Sequence, residues 1–138
     1  VPGVRHCARL HDALRLLRLA VVDSYVGGYD AIDPARDGLR IQIKSRTIFD
    51  ESKTGQRIGQ IKADQPWDCV VLVLMDDDYE PYELYEADRE ELLEFMDKSS
   101  SGRAKRGALS VARFKIIGRL VWSRDEGLAP GVWDNQTG

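Results

Sequence analysis

The run Cys69-Val70-Val71-Leu72-Val73-Leu74-Met75 limits this chain more than any other stretch. A strand with one face in water alternates apolar and polar side chains, and a run that is apolar at every position has no wet face. It is strand-sized and far too short to cross a bilayer. A strand of this kind lies inside a sheet that is covered on both sides, so the rest of the chain has to supply two covering layers.

The neighbouring segments read as the parts of such a fold. Residues 5–25 read as a helix, with Cys7, Leu10, Leu14, Leu17 and Val21 at three- and four-residue spacing and Gly27-Gly28 closing it. A β-hairpin follows, with strands over 29–33 and 39–45 and a turn over 34–38 that contains Asp37-Gly38. In its second strand Leu39, Ile41 and Ile43 face one way, and Arg40, Gln42 and Lys44 the other. Residues 47–66 show no period and read as a mobile loop with a short helix near 58–63. A strand over 80–86 with Pro81 at its entry comes after the apolar run. Asp88 caps a helix reaching about residue 97, with Leu92, Leu93 and Met96 inward. Ser110 caps a last helix that carries Val111, Phe114, Ile117 and Leu120. The expected architecture is one α/β domain over 1–126, a central mixed sheet flanked by helices, with an irregular tail over 127–138.

Composition excludes some functions. The 138 residues carry a net charge of −3, which argues against a strong general nucleic-acid binder. The bases are nevertheless gathered, in Lys44, Arg46, Lys53, Arg57, Lys62 and the run Arg103-Ala104-Lys105-Arg106, so a local basic face is compatible with the acidic whole. Neither a membrane span nor a signal-peptide pattern is legible, which leads to the expectation of a cytoplasmic protein without a membrane partner. Cys7 and Cys69 sit in apolar surroundings and read as buried free thiols. His6 and His11 are five apart, a poor helical metal pair, and read as surface residues.

Chemistry is legible on the hairpin. Phosphodiester hydrolysis needs a water nucleophile, a Lewis acid at the phosphate and cationic help for developing charge. Asp30 offers a carboxylate to Mg²⁺ or Mn²⁺, Gln42 a neutral amide oxygen, and Ile43 its main-chain carbonyl. Lys44, on the face of Gln42, suits positioning the water, taking its proton or stabilising charge on the phosphate. A hairpin brings Asp30 alongside both. Asp33 is the rival carboxylate, but Asp33-Pro34 reads as the start of the turn.

Asp30 followed by Gln42-x-Lys44 on the next strand resembles the PD-(D/E)xK nuclease superfamily, the restriction-endonuclease-like fold. The motif covers about 28–46, and the element order of its αβββαβ core about 5–122. The resemblance implies an Mg²⁺-dependent endonuclease acting on DNA, with Asp30 and Gln42 at the metal and Lys44 catalytic. It also implies a bacterial cytoplasmic setting and a homodimer. Tyr29 stands where the family's proline would be, Gln42 replaces an acid, and the first helix lacks the Glu that many members place there, leaving Asp12 and Asp23 as its carboxylates. These departures keep an alternative open: an inactive nuclease-fold module that binds nucleic acid or a protein.

Further nucleic-acid contacts are expected at Ser45, Arg46 and Lys62. Gln60-Ile61-Lys62 repeats the hairpin tripeptide, and reads either as a solvated turn or helix or, with Arg57 and Lys53, as a phosphate-contacting loop. Asp76-Asp77-Asp78 lacks the spacing and glycine of a calcium loop and reads as a solvated strand-exit turn.

Overall fold

In a computed structural model of the chain the described residues are 20–21, 29–48, 56–99, 102 and 107–128. Most of the expected first helix lies outside them, as do Cys7, His6, His11, Asp12, Asp23, Lys53, the basic run at 103–106 and the tail from 129 on.

The apolar run is strand β5 (Cys69–Met75), and every one of its residues is buried. It lies inside a seven-stranded mixed sheet ordered β1-β2-β3-β5-β6-β8-β9. The outer members on one side are β1 (Ala20–Val21), β2 (Ala31–Asp33) and β3 (Leu39–Thr47). On the other side are β6 (Pro81–Asp88), β8 (Arg119–Ser123) and β9 (Gly127–Leu128). Among the described residues only β3 and β5 run parallel, with Ile41 opposite Cys69 and Lys44 opposite Leu72. A parallel pair needs a crossover between its strands. This one carries β4 (Arg57–Gln60), which pairs with β7 (Ala108–Ser110) as a small second sheet.

Each face of β5 feeds its own core. Val70, Leu72 and Leu74 pack with Ile58, Ile61, Trp67 and Leu109, and with helices α1 (Arg89–Lys98) and α2 (Val111–Ile117) through Leu92 and Phe114. Cys69, Val71, Val73 and Met75 pack with Ala31, Ile41, Leu84 and Val121 on the other face. Both helices start where their caps were expected. Asp88 and Glu91 form a capping box on α1, and Ser110 Oγ accepts the Arg113 N–H on α2. Leu92 and Met96 are buried, and Leu93 only partly.

The second face also holds charge. Glu86 is fully buried and binds Arg36 at 2.9 Å and Arg119 at 3.3 Å, while Arg36 also binds buried Asp33 at 2.6 Å. Burial works against the Arg36 charge, but hydrogen bonds and attraction from Glu86 and Asp33 outweigh it and hold its pKa above the ordinary value. The buried Cys69 thiol donates to Glu86, and burial pushes its pKa up, as expected for an inert free thiol.

Several expectations need correction. Ala20–Val21 is not helical but pairs with β2, Ala20 opposite Ile32 and Val21 opposite Ala31. The short helix near 58–63 is instead strand β4. Gly59 there has φ +86° and the pairing with β7 shifts register, a bulge that breaks the period-two signal of a strand. Leu120 belongs to β8 and not to the last helix, because Gly118 ends that helix hard against β6, where a Cβ would lie 2.6 Å from the Glu86 carbonyl oxygen. The tail expected from residue 127 begins with two residues paired to β8.

Candidate functional site

The turn between β2 and β3 sets the hairpin geometry. Asp33 caps a 3₁₀ turn over Pro34–Arg36, its side chain accepting from Ala35 N, and Asp37 and Gly38 then take left-handed conformations at φ 57° and 72°. Asp33 is thereby committed to the turn, and Asp30 is the carboxylate bonded to β3. The strand pairing ends at Ala31 opposite Ile41, and Asp30, just before β2, is bound to the residues on either side of Gln42. Asp30 N donates to Ile41 O at 2.8 Å, and Asp30 Oδ2 accepts from Ile43 N at 2.8 Å. The carboxylate is therefore fixed beside β3, and its second oxygen, Oδ1, has no hydrogen bond among the described residues.

Arg40, Gln42, Lys44 and Arg46 share the face of β3 that continues Val70 and Leu72. Their environments differ. Arg40 is structural: its guanidinium forms a fork with Asp68 at 3.0 and 3.1 Å and lies over the Tyr29 ring, and these bonds lower the Asp68 pKa. Gln42 Oε1 is buried and has no hydrogen-bond partner. Most buried polar atoms are paired, so this orphaned amide oxygen on the strand beside Asp30 is an acceptor with its lone pairs unused. The other such atom among the described residues, Thr47 Oγ1, lies on the opposite face near the end of β3.

Lys44 is partly buried, and its Nζ donates to Gln60 O at 3.2 Å. Burial lowers its pKa, and the charges of Arg46 and Lys62 lower it further against the pull of Asp30. Arg46 reaches across β4, Nε donating to Arg57 O at 2.7 Å. A Cβ at Gly59 would stand 2.8 Å from Arg46 Nη2 and 4.0 Å from Lys44 Nζ, so both cations cross β4 where it has no side chain. Lys62 is exposed beside them.

Asp30, Gln42, Lys44, Arg46 and Lys62 thus come together around β3 and β4. Ser45 does not join them, since it points to the face of Ile41 and Ile43. Asp76-Asp77-Asp78 lies elsewhere, at the turn between β5 and β6. Its carboxylates are close enough to hold a metal ion, but Asp76 is already engaged by the N–H groups of Asp78 and Glu80 and by Arg124 at 2.9 Å, which lower its pKa.

Two contributors escape the sequence. The Gln60 carbonyl anchors Lys44, and a main-chain acceptor leaves no mark in residue type. Arg89 holds the segment after β4 by donating to the carbonyls of Ala63, Gln65 and Trp67, and stacks on the Trp67 ring at 4.6 Å. At the first position of a helix it reads as any exposed base. No family model matches this chain, and no curated protein matches it.

Proposed function

We propose that this chain is a divalent-metal-dependent nuclease acting on DNA, on a restriction-endonuclease-like core. The observation that carries the reading is the buried, unpartnered Gln42 Oε1, with Asp30 bonded to the main chain of Ile41 and Ile43 on either side of it and Lys44 on the same face.

The donor set suits a hard cation such as Mg²⁺ or Mn²⁺, because Asp30 Oδ1 and Gln42 Oε1 are oxygen atoms with unused lone pairs. Asp30, Gln42 and the Ile43 carbonyl would hold the ion. When bound, it would supply Lewis-acid polarisation of a phosphate oxygen and lower the pKa of a coordinated water. The Ile43 N–H orients Asp30, so the carboxylate needs no rearrangement to serve. Lys44 Nζ spends one hydrogen bond on Gln60 O and has donors left for a phosphate oxygen. Its depressed pKa also eases exchange of a proton at Nζ. In the hydrolysis, the water oxygen bonds to phosphorus as the bond to one ester oxygen breaks, and the water's proton ends on the leaving oxygen or in solvent.

The αβββαβ order would follow the third strand with a helix. Here β4, β5 and β6 all come between β3 and α1, so the support for this core is the hairpin and its parallel neighbour β5.

The amide at position 42 favours one other reading, a nuclease-fold module that binds nucleic acid or a protein without cutting, since the site holds one formal charge fewer than a carboxylate pair. Incubation of purified protein with plasmid and oligonucleotide DNA, with Mg²⁺, Mn²⁺ or EDTA, separates the two. Metal-dependent cutting that is lost in both Asp30→Asn and Lys44→Met supports the nuclease. Metal-independent binding without cutting supports the module, and cutting that survives both substitutions removes the hairpin from the chemistry.

A further inference from the structure

The bases around β4 differ from the others in what they touch. Arg36, Arg40, Lys98, Lys115, Arg119 and Arg124 each pair with a carboxylate. Arg89 and Arg113 lie over the rings of Trp67 and Phe95. Lys44, Arg57 and Lys62 have neither an ion pair nor a ring partner among the described residues. The chain has 23 acids to 20 bases, so acids are plentiful, yet these three bases are gathered where none meets them. Such a cluster is a local positive field on an acidic protein.

Main-chain carbonyls hold the bases in place. Lys44 Nζ donates to Gln60 O at 3.2 Å, Arg46 Nε to Arg57 O at 2.7 Å, and Arg57 Nη1 to Ala108 O at 2.6 Å. A carbonyl fixes the position of a cation and leaves its full positive charge in place. A preorganised cation then has little side-chain entropy left to lose when an anion arrives.

Two of the cations converge on one point. A Cβ at Gly59 would stand 4.0 Å from Lys44 Nζ and 2.8 Å from Arg46 Nη2. Gly59 is partly exposed and has no side chain, so a group from outside can reach this point. Arg57 and Lys62, both exposed, stand before and after it in the chain. Arg46 and Lys62 both oppose the charge on Lys44, and an anion placed among them relieves that repulsion.

We infer that β4 and its continuation to Lys62 form a track for the sugar–phosphate backbone of DNA, with a phosphate next to the scissile one seated at Gly59 against Lys44 and Arg46, and further phosphates toward Arg57 and Lys62. The inference rests on the nuclease reading, which puts the scissile phosphate near Asp30 and Gln42. Contacts of this kind fix the register of the nucleic acid and carry no sequence information.

The test is the salt dependence of binding to a labelled duplex, read by fluorescence anisotropy in EDTA so that nothing is cut. Each phosphate contact contributes about 0.9 to the slope of log affinity against log salt. The full chain carrying Arg57→Gln and Lys62→Gln should bind roughly tenfold more weakly at low salt, with a slope smaller by about two. Lys98→Gln with Lys115→Gln removes the same charge away from β4 and should leave the slope as in wild type. Gly59→Ala sets a methyl group against the Arg46 head and should also weaken binding, and the two charge variants decide the matter if it does not fold. Equal slopes in the two charge variants, or no binding by the wild-type chain, overturn the track. If the track fails while Mg²⁺-dependent cutting is retained, the track alone has failed. If the slope falls as expected while the wild-type chain cuts no DNA, the nuclease reading has failed and the track stands as a binding surface.

Discussion

Asp30 Oδ2 accepts the main-chain N–H of Ile43 at 2.8 Å, so this carboxylate is held by the strand that carries Gln42 and Lys44. One contact serves both the hairpin and the proposed chemistry, and substitutions separate the two. Asn at position 30 retains an oxygen for Ile43 N–H but loses the charge. Asp30→Asn should melt close to wild type while metal-dependent DNA cutting falls about a hundredfold or more. Asp30→Ala should also lose about 1–2 kcal/mol of stability, because the Ile43 N–H loses its acceptor. Melting curves beside cutting rates decide this, and equal stability losses in the two variants would contradict it.

Lys44 gives a pH test. Its pKa in the folded protein lies below the ordinary lysine value, first through burial and then through Arg46 and Lys62. The unfolded chain therefore holds this proton more tightly than the folded one. The charged amine costs stability at neutral pH, and the cost is relieved as pH rises through the folded pKa toward 10.5. Lys44→Met should melt higher than wild type at pH 7, and the gap should narrow as pH approaches 10. A gap that is constant over this range would show that Lys44 ionises as freely in the folded chain as in the unfolded one.

Glu86 is the buried centre of an ion-pair network with Arg36 and Arg119. Glu86→Gln leaves Arg36 with Asp33 as its charged partner and should cost about 1–3 kcal/mol in urea unfolding. Replacing Glu86 and Arg36 together by Met should recover little of that loss, because buried Asp33 then loses its Arg36 partner. A single-variant loss below about 1 kcal/mol would mean that the Arg36 charge is already well solvated without Glu86.

Glycine replacements measure how tightly the second sheet is seated. Gly107 has φ +87°, and a Cβ there would lie 2.1 Å from the Ile61 carbonyl oxygen. Gly107→Ala combines left-handed strain with a clash against main chain, and should cost more than about 2 kcal/mol. Gly38 has φ +72° with nothing within 4 Å of its Cβ position, so Gly38→Ala should cost about 1 kcal/mol from strain alone. Chemical denaturation ranks the pair, and the reverse order would contradict the close packing of Gly107 on Ile61.

The sequence by itself determined the elements whose signals are local. The unbroken apolar run required a strand buried on both faces, and β5 is one. Asp88 and Ser110 marked helix starts because an N-cap depends on one side chain and the next few N–H groups. Alternation separated Ile41 and Ile43 from Gln42 and Lys44, and Asp33-Pro34 identified the turn. Tertiary structure decided what depends on contacts between distant residues. Strand β4 was hidden by the bulge at Gly59, and β8 follows α2 with only Gly118 between them. Ala20–Val21 carries helical periodicity yet pairs with β2, because a partner strand can outweigh weak local preference. The candidate site divides in the same way. Residue types and spacing put Gln42 and Lys44 on one face of their strand with Asp30 alongside. The unpaired state of Gln42 Oε1, the Gln60 carbonyl that holds Lys44 and the Arg89 clamp on the segment after β4 arise only when elements far apart in sequence pack together.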